Sequence, residues 1–417
     1  MVVRGMRRWW LWGLLVLAAC LTLGQNCAGP AAPSVPIASA CGLHAAYCVE
    51  VIGKSPLAVA AGDFNRDGAI DLAVANFGTD NVELLFNDGR GRLTSAGKYK
   101  VGDSPGTIAA ADFDGDGNLD LAASDGLGVA VLINRGDGTF EPAVHVDLDP
   151  QINAFPISMT AADLDGDGAV DLAAAGLGYR FEPDFLTVTN LDNVAILHNN
   201  GSGTFTLTQT IIIDNPFPRL GDITAGDVDG DGRADLIVDQ SSGLVTVLLN
   251  QGAGSFAVAF SLDLGANHIL SDVKVADLNG DGRGDLIVAD NGDPLDPAND
   301  GGDVAVFYNL GNGSFAQALL LQAGWAPTSI GVADVDGDSL PDLVVANNLS
   351  NDVSVLVNQG GGGFEPPWTF ASGDGPTSVA LADFNGNGIV DLAVSHMNSG
   401  AVGVYLNDGT GDFTSGR

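Results

Sequence analysis

Positive charge is what this 417-residue chain lacks most: 16 Lys and Arg stand against 52 Asp and Glu, for a formal net charge of −36. Nucleic-acid phosphates and anionic lipid surfaces would be repelled, so neither is expected as a partner. Histidine is scarce as well. The five that exist, His44, His145, His198, His268 and His396, share no motif, and no G-x-S-x-G elbow, H-E-x-x-H helix or catalytic Cys pattern accompanies them. No catalytic set is therefore visible, and the chain is not expected to be an enzyme. His145 and His198 fall in strand patterns and read as partly exposed sheet residues. The four cysteines all precede residue 49, with no His or Cys partners at metal-site spacing after them. A long apolar run is missing too. The N-terminal stretch from Trp9 to Leu23 is 15 residues, short of the roughly 20 a membrane span requires.

That short run follows Arg4, Arg7 and Arg8, which makes residues 1–20 read as an export signal rather than an anchor helix. Leu17-Ala18-Ala19-Cys20 resembles a bacterial lipobox, in which Cys20 would carry a lipid. Ordinary cleavage further on, for instance near Ala38-Ser39-Ala40, is the alternative. Residues 21–45, rich in Ala, Pro and Ser, read as a flexible tether. In an oxidising compartment Cys41 and Cys48 are the obvious disulfide pair, and Cys27 is left without a role. The expected location is outside the cytoplasm, either secreted or held at the cell surface or outer membrane through the lipid on Cys20.

Glycine, at 58 residues, is about twice its usual ~7% share, which signals many tight turns. Those turns are periodic. A loop of the form D-x-[DN]-x-[DN]-[GS]-x-x-D begins at Asp63, Asp112, Asp163, Asp227, Asp277, Asp334 and Asp383, at spacings of 49, 51, 64, 50, 57 and 49 residues. A second signature, V-x-[VIL]-[LFY]-x-N-x-G-x-G-x-[FL], follows each loop, as in VTVLLNQGAGSF from Val245. Together they read as four short strands per repeat. The Asp loop joins the first two strands, and the N-x-G-x-G turn joins the last two, with Asn and Gly supplying positive-φ positions. Seven such units of about 50 residues predict an all-β, seven-bladed propeller over residues 46–417. The last repeat stops short of a fourth strand, so residues near 46–53 are expected to supply it and close the ring.

Carboxylates at loop positions 1, 3, 5 and 9, with Gly at 6 and a backbone carbonyl at 7, form the donor set a hard cation needs. The candidate ligands are Asp63, Asn65, Asp67, Ala69 and Asp71 in loop one, and Asp112, Asp114, Asp116, Asn118 and Asp120 in loop two. Loop three offers Asp163, Asp165, Asp167, Ala169 and Asp171; loop four offers Asp227, Asp229, Asp231, Arg233 and Asp235. Loop five has Asp277, Asn279, Asp281, Arg283 and Asp285, and loop six has Asp334, Asp336, Asp338, Leu340 and Asp342. In loop seven, Asp383, Asn385, Asn387, Ile389 and Asp391 retain only two carboxylates, so it should bind most weakly. About five to seven Ca²⁺ per chain are expected, as structural ions.

The loops, for example Asp112-Phe113-Asp114-Gly115-Asp116-Gly117-Asn118-Leu119-Asp120, together with the V-x-V-L-x-N-x-G-x-G-x-F strands, resemble the FG-GAP/VCBS repeat family, which includes the propeller of integrin α chains. The resemblance covers residues 46–417 and implies a seven-bladed propeller with calcium between the first two strands of blades. It implies a bacterial-type exported member, whose relatives are mostly surface or secreted proteins. In integrins only some blades carry calcium, whereas every blade here has a plausible loop.

Extra residues fall on the loop face opposite the Asp loops. Blade three carries an insertion from Gly178 to Leu191 with Tyr179, Arg180, Phe181 and Phe185; a connector before blade four adds Phe217 and Arg219. Aromatics beside an Arg suit a glycan or protein ligand. Loops that merely pack on themselves are the alternative. The insertion from Asn291 to Gly302, with Asp293, Asp296 and Asp300, reads as part of the same face or as an eighth calcium site. Three roles stay open: a binding or adhesion module, an envelope or matrix component with no discrete ligand, and a polysaccharide lyase or hydrolase.

Overall fold

The computed structural model describes residues 40–414, apart from residues 43, 51–53, 127, 149–154, 182–187, 214–219, 241, 266–267, 293–301 and 312. The export signal, Cys20, Cys27 and most of the tether lie outside the described residues. Seven four-stranded antiparallel sheets form, one per Asp loop, and stand as the blades of a seven-bladed β-propeller. Blade one sets the pattern with Pro56–Gly62, Asp71–Asn76, Asn81–Asn87 and Leu93–Lys100, paired in that order.

Burial explains the composition of each strand. The second strand is buried along its length, save for Leu177 at the end of that in blade three, because a neighbouring blade covers each of its faces, and it reads as a nearly unbroken apolar run. The fourth strand lies at the rim, and outer residues such as those of Leu93–Lys100 are mostly exposed. The apolar core is accordingly divided into layers between blades. Phe64, Val82 and Leu84 of blade one pack on Leu121 and Ala123 of blade two. Phe384 and Val402 of blade seven pack in the same way on Val59 and Leu72 of blade one.

Ring closure follows the expectation. Tyr47–Glu50 pairs antiparallel with Ala401–Tyr405, Tyr47 opposite Val404 and Glu50 opposite Ala401, as the outer strand of blade seven. The Cys41–Cys48 disulfide, with Cα atoms 5.8 Å apart, fixes the approach to that strand. The buried Tyr405 hydroxyl donates to the Cys41 carbonyl.

The Asn of the N-x-G-x-G turn does something its sequence context does not suggest. Positive φ belongs to the glycines, such as Gly89 (75°) and Gly91 (85°), and to none of the seven Asn. Asn87 Nδ2 instead donates to the Ile70 carbonyl of its own loop at 2.9 Å and to the Phe384 carbonyl of blade seven at 2.8 Å. Asn134, Asn199, Asn250, Asn309, Asn358 and Asn407 repeat this, each reaching the second loop residue of the preceding blade. A hydrogen-bonded amide is buried at every blade junction, including the seam between blades seven and one.

Of the insertions, Tyr179–Phe181 and Val188–Asn190 form a two-stranded ribbon, Tyr179 opposite Asn190. Phe185, Phe217, Arg219, Asp293, Asp296 and Asp300 lie outside the described residues.

Candidate metal centres

Each Asp loop is wound by its own carboxylates. Position 1 accepts the N–H of position 6, as Asp112 Oδ2 does from Gly117 at 2.9 Å and Asp334 Oδ2 from Ser339 at 2.8 Å. Position 6 must therefore sit in the left-handed region, and Ser339 does so without glycine's freedom, at φ 71°. Position 4 has the same need, met by Gly in six loops and by Arg66 (φ 60°) in loop one. Arg66 also reaches across to the Gly117 carbonyl of loop two at 3.2 Å.

Position 9 is the first residue of the second strand and is buried. Asp120 Oδ2 accepts the Phe113 N–H at 2.8 Å, and its Oδ1 accepts the Asn134 N–H at 2.7 Å. The same pair of bonds recurs at Asp71, Asp171, Asp235, Asp285, Asp342 and Asp391. Burial nevertheless pushes Asp71, Asp120, Asp342 and Asp391 up to about 6, against the pull of those N–H groups, and carboxylates earlier in each loop add to the rise. Asp171, Asp235 and Asp285 are raised for the same leading reason. A group of mutually repelling, half-desolvated carboxylates is what a cation would relieve.

In loops two, three, four and six, positions 1, 3 and 9 each present an oxygen within 4.8 Å of the other two: Asp112, Asp114, Asp120; Asp163, Asp165, Asp171; Asp227, Asp229, Asp235; and Asp334, Asp336, Asp342. These donor sets fit a hard divalent cation. They are the four loops in which position 3 is Asp; loops one, five and seven place Asn65, Asn279 and Asn385 there.

Two features were hidden from sequence reasoning. In loops four and five the position-7 side chain turns back on its own loop. Arg233 pairs with Asp231, and Arg283 with Asp281, while their Nε groups hold the carbonyls of Asn250 and Asn309 at 3.1 and 2.9 Å. These cations already occupy a position-5 carboxylate, so carboxylate count alone overrates loop four. The second feature is His198, which faces loop three from the third strand of that blade, with Nδ1 2.9 Å from Asp165 Oδ2. A spacing rule confined to the Asp loop could not have found either one.

Another charged cluster runs along the first strands of blades three to six. Asp222 accepts from Lys274 Nζ at 3.1 Å and from the Ser158 hydroxyl, and Asp272 pairs with the same lysine. Asp272 also takes the Ile330 N–H of the next blade at 2.5 Å, as Ser329 takes that of Val379. Burial opposes the Lys274 charge, but Asp222 and Asp272 outweigh it and hold the group up. Asp239 lies beside them, fully buried, with neither carboxyl oxygen in a well-formed hydrogen bond. Burial, then the Asp222 charge, push it well above the usual carboxylate range, against the weaker pull of the Asp222 and Gly221 N–H groups and of Lys274.

On the opposite face the side chains of Tyr179, Arg180 and Phe181 are not described, but a different apolar pair is. Trp325, in the connector from blade five to six, is 57% exposed, and Leu349, in the turn between the second and third strands of blade six, is 45% exposed. The Leu349 N–H donates to the Trp325 carbonyl at 3.1 Å, which fixes the two side by side.

Comparison with known proteins agrees with this architecture. The model of the FG-GAP-like repeat matches residues 63–123, 112–174, 182–238, 298–345 and 334–394. No curated protein matches the chain. Two solved structures of BBS1N in complex with ARL6DN, one soaked with mercury and one with lead, are each 15% identical. Their TM-scores are 0.59 and 0.56; both cover 88% of this chain, and 98% and 96% of their own. They share the fold alone. A structure of an Agrocybe aegerita lectin that recognises non-reducing terminal N-acetylglucosamine is 22% identical, with a TM-score of 0.49, over 82% of this chain and 86% of that one.

Proposed function

The chain belongs to the FG-GAP-like repeat family, and from that premise we propose that it is a calcium-stabilised binding module, exported and displayed at the cell surface or secreted. The observation that carries this reading is the convergence of position 1, 3 and 9 carboxylates in loops two, three, four and six, all on one face of the ring. When bound, calcium would neutralise those carboxylates and tie the first two strands of each blade together. The residues of the chain do the rest. Position 1 winds the loop, position 9 links it to the third strand, and the Asn of the N-x-G-x-G turn, here the hub Asn, links it to the preceding blade.

The opposite face is left for the ligand. FG-GAP propellers are commonly non-catalytic binding modules, and a glycan or a protein loop is the ligand class suited to Tyr179, Arg180, Phe181, Phe185, Phe217 and Arg219. Trp325 and Leu349 extend the apolar surface available on that face. A lipid on Cys20 would hold the module at a membrane without the propeller touching it.

The test is retention of the mature protein on immobilised glycans and cell-surface extracts in calcium buffer. Tyr179→Ala combined with Arg219→Ala, and separately Trp325→Ala, should abolish retention while leaving the melting temperature unchanged. Absence of any ligand across such a screen would favour an envelope or matrix component. Release of product from polysaccharide would contradict the non-catalytic reading.

A further inference from the structure

Blade three departs from the other six at one position beside its loop. The residue before the hub Asn is Phe86, Ile133, Leu249, Tyr308, Val357 or Leu406 elsewhere, and none of these is a usual ligand for a divalent metal. In blade three it is His198. Strand alternation turns this side chain over the loop, with Nδ1 2.9 Å from Asp165 Oδ2 and 3.2 Å from Asp171 Oδ1. Asp165, Asp167 and His198 each offer a donor atom within 4.8 Å of the other two, and Asp163, Asp165 and Asp171 do the same. Among the described residues only this loop draws its position-5 carboxylate into such a group.

The imidazole nitrogen itself points to a ligand. Nδ1 is buried and stands at ion-pair distance from two carboxylate oxygens, without the alignment of a hydrogen bond to either. An imidazole nitrogen and carboxylate oxygens that converge in this way have the placement co-ligands of one ion need. Calcium takes oxygen ligands, whereas a mixed imidazole and carboxylate set suits zinc and its neighbours, whose affinity for nitrogen sites is intrinsically higher.

We propose that the blade-three loop is a transition-metal site, held by Asp165, Asp167 and His198 with Asp163 and Asp171 beside them, and that it takes Zn²⁺ in preference to Ca²⁺. This rests on the reading of the Asp loops as cation sites, but gives one of the seven a different ion.

The test uses the full mature chain, stripped with chelator and dialysed against excess calcium with a small molar excess of zinc. Bound metals are then counted by elemental analysis. Wild type should retain one zinc per chain in the face of calcium; His198→Leu should lose it while keeping calcium at the other loops. Leucine occupies this position in blades four and seven, so the variant is compatible with the fold. Asp165→Asn should lose the zinc as well. Co²⁺ in place of zinc should give a visible absorption band in wild type that His198→Leu lacks. Calcium without zinc in wild type overturns the proposal and leaves the calcium reading intact. Zinc without calcium does the reverse. Zinc kept by His198→Leu places the ion elsewhere and also overturns it, as expected if His198 serves only as an ion-pair partner of Asp165.

Discussion

Asn87→Ala should destabilise the propeller as much as any equivalent change in the middle of the chain. Asn87 Nδ2 donates to the Ile70 and Phe384 carbonyls, and its Oδ1 accepts the N–H groups of Gly89 at 3.1 Å and Gly91 at 3.0 Å. At about 0.5–1.5 kcal/mol net for each of these bonds, the loss is about 2–6 kcal/mol, weighted upward because the Phe384 carbonyl is left buried without this donor. Asn134→Ala removes the corresponding donor to Phe64, and three such bonds in all where Asn87→Ala removes four, and is the control. The Asn87 contact spans 297 residues and the Asn134 contact 70. In a closed ring that difference is immaterial, because both amides sit at the same kind of junction. Denaturant unfolding in calcium buffer should therefore give losses equal to within about 1 kcal/mol. A full loss for Asn134→Ala with less than about 1 kcal/mol for Asn87→Ala would mean that blades seven and one are not joined as described.

Asp239→Ala should stabilise the protein by about 1 kcal/mol at neutral pH, since a buried carboxyl without a well-formed hydrogen bond costs about 1–3 kcal/mol, less the small void left behind. Ala or Ser fills this position in the other six blades. Because burial raises the Asp239 pKa above its unfolded value, this group's contribution to wild-type stability is fullest below about pH 4 and falls as pH rises toward the folded pKa. The advantage of the variant in melting curves should therefore grow from pH 4 to pH 7; a constant or shrinking difference would refute the assignment. Reduction of Cys41–Cys48, which closes a segment of sequence separation 7, should cost about 2–3 kcal/mol by chain entropy, checked by denaturant unfolding with and without reductant. Arg233→Ala and Arg283→Ala should each free a loop carboxylate and tighten one calcium site by about 1.5- to 5-fold, the worth of an exposed ion pair, in calorimetric titration.

The repeat made the fold legible. Loops and strands recurring in register fix blade number, strand order and the sharing of Tyr47–Glu50 with blade seven, because each depends on local pattern and on counting. The Cys41–Cys48 bridge followed from the same kind of reasoning. What stayed hidden depends on contacts between repeats or on side-chain direction. The hub Asn reads as a turn former because a local turn is sufficient to explain it; its bond to the preceding blade appears only once the blades are packed. Arg233 and Arg283 occupy positions expected to offer a carbonyl, and only geometry shows their guanidinium groups on Asp231 and Asp281. His198 reads as a sheet residue for the same reason. The direction that its strand gives it, toward Asp165, is invisible in a list of spacings.

Calcium counting most directly tests the central claim that the Asp loops are cation sites on which stability depends. Extracellular modules bind at roughly 10⁻⁴ to 10⁻³ M, and at an assumed ~2 mM calcium linkage supplies about 0.6–2 kcal/mol per loop. Elemental analysis of the dialysed mature protein, paired with melting curves in calcium and in chelator, should find five to seven divalent ions per chain and a large loss of stability on chelation. Near-zero metal with an unchanged melt would contradict it, reducing the loops to turns whose carboxylates are free for another purpose.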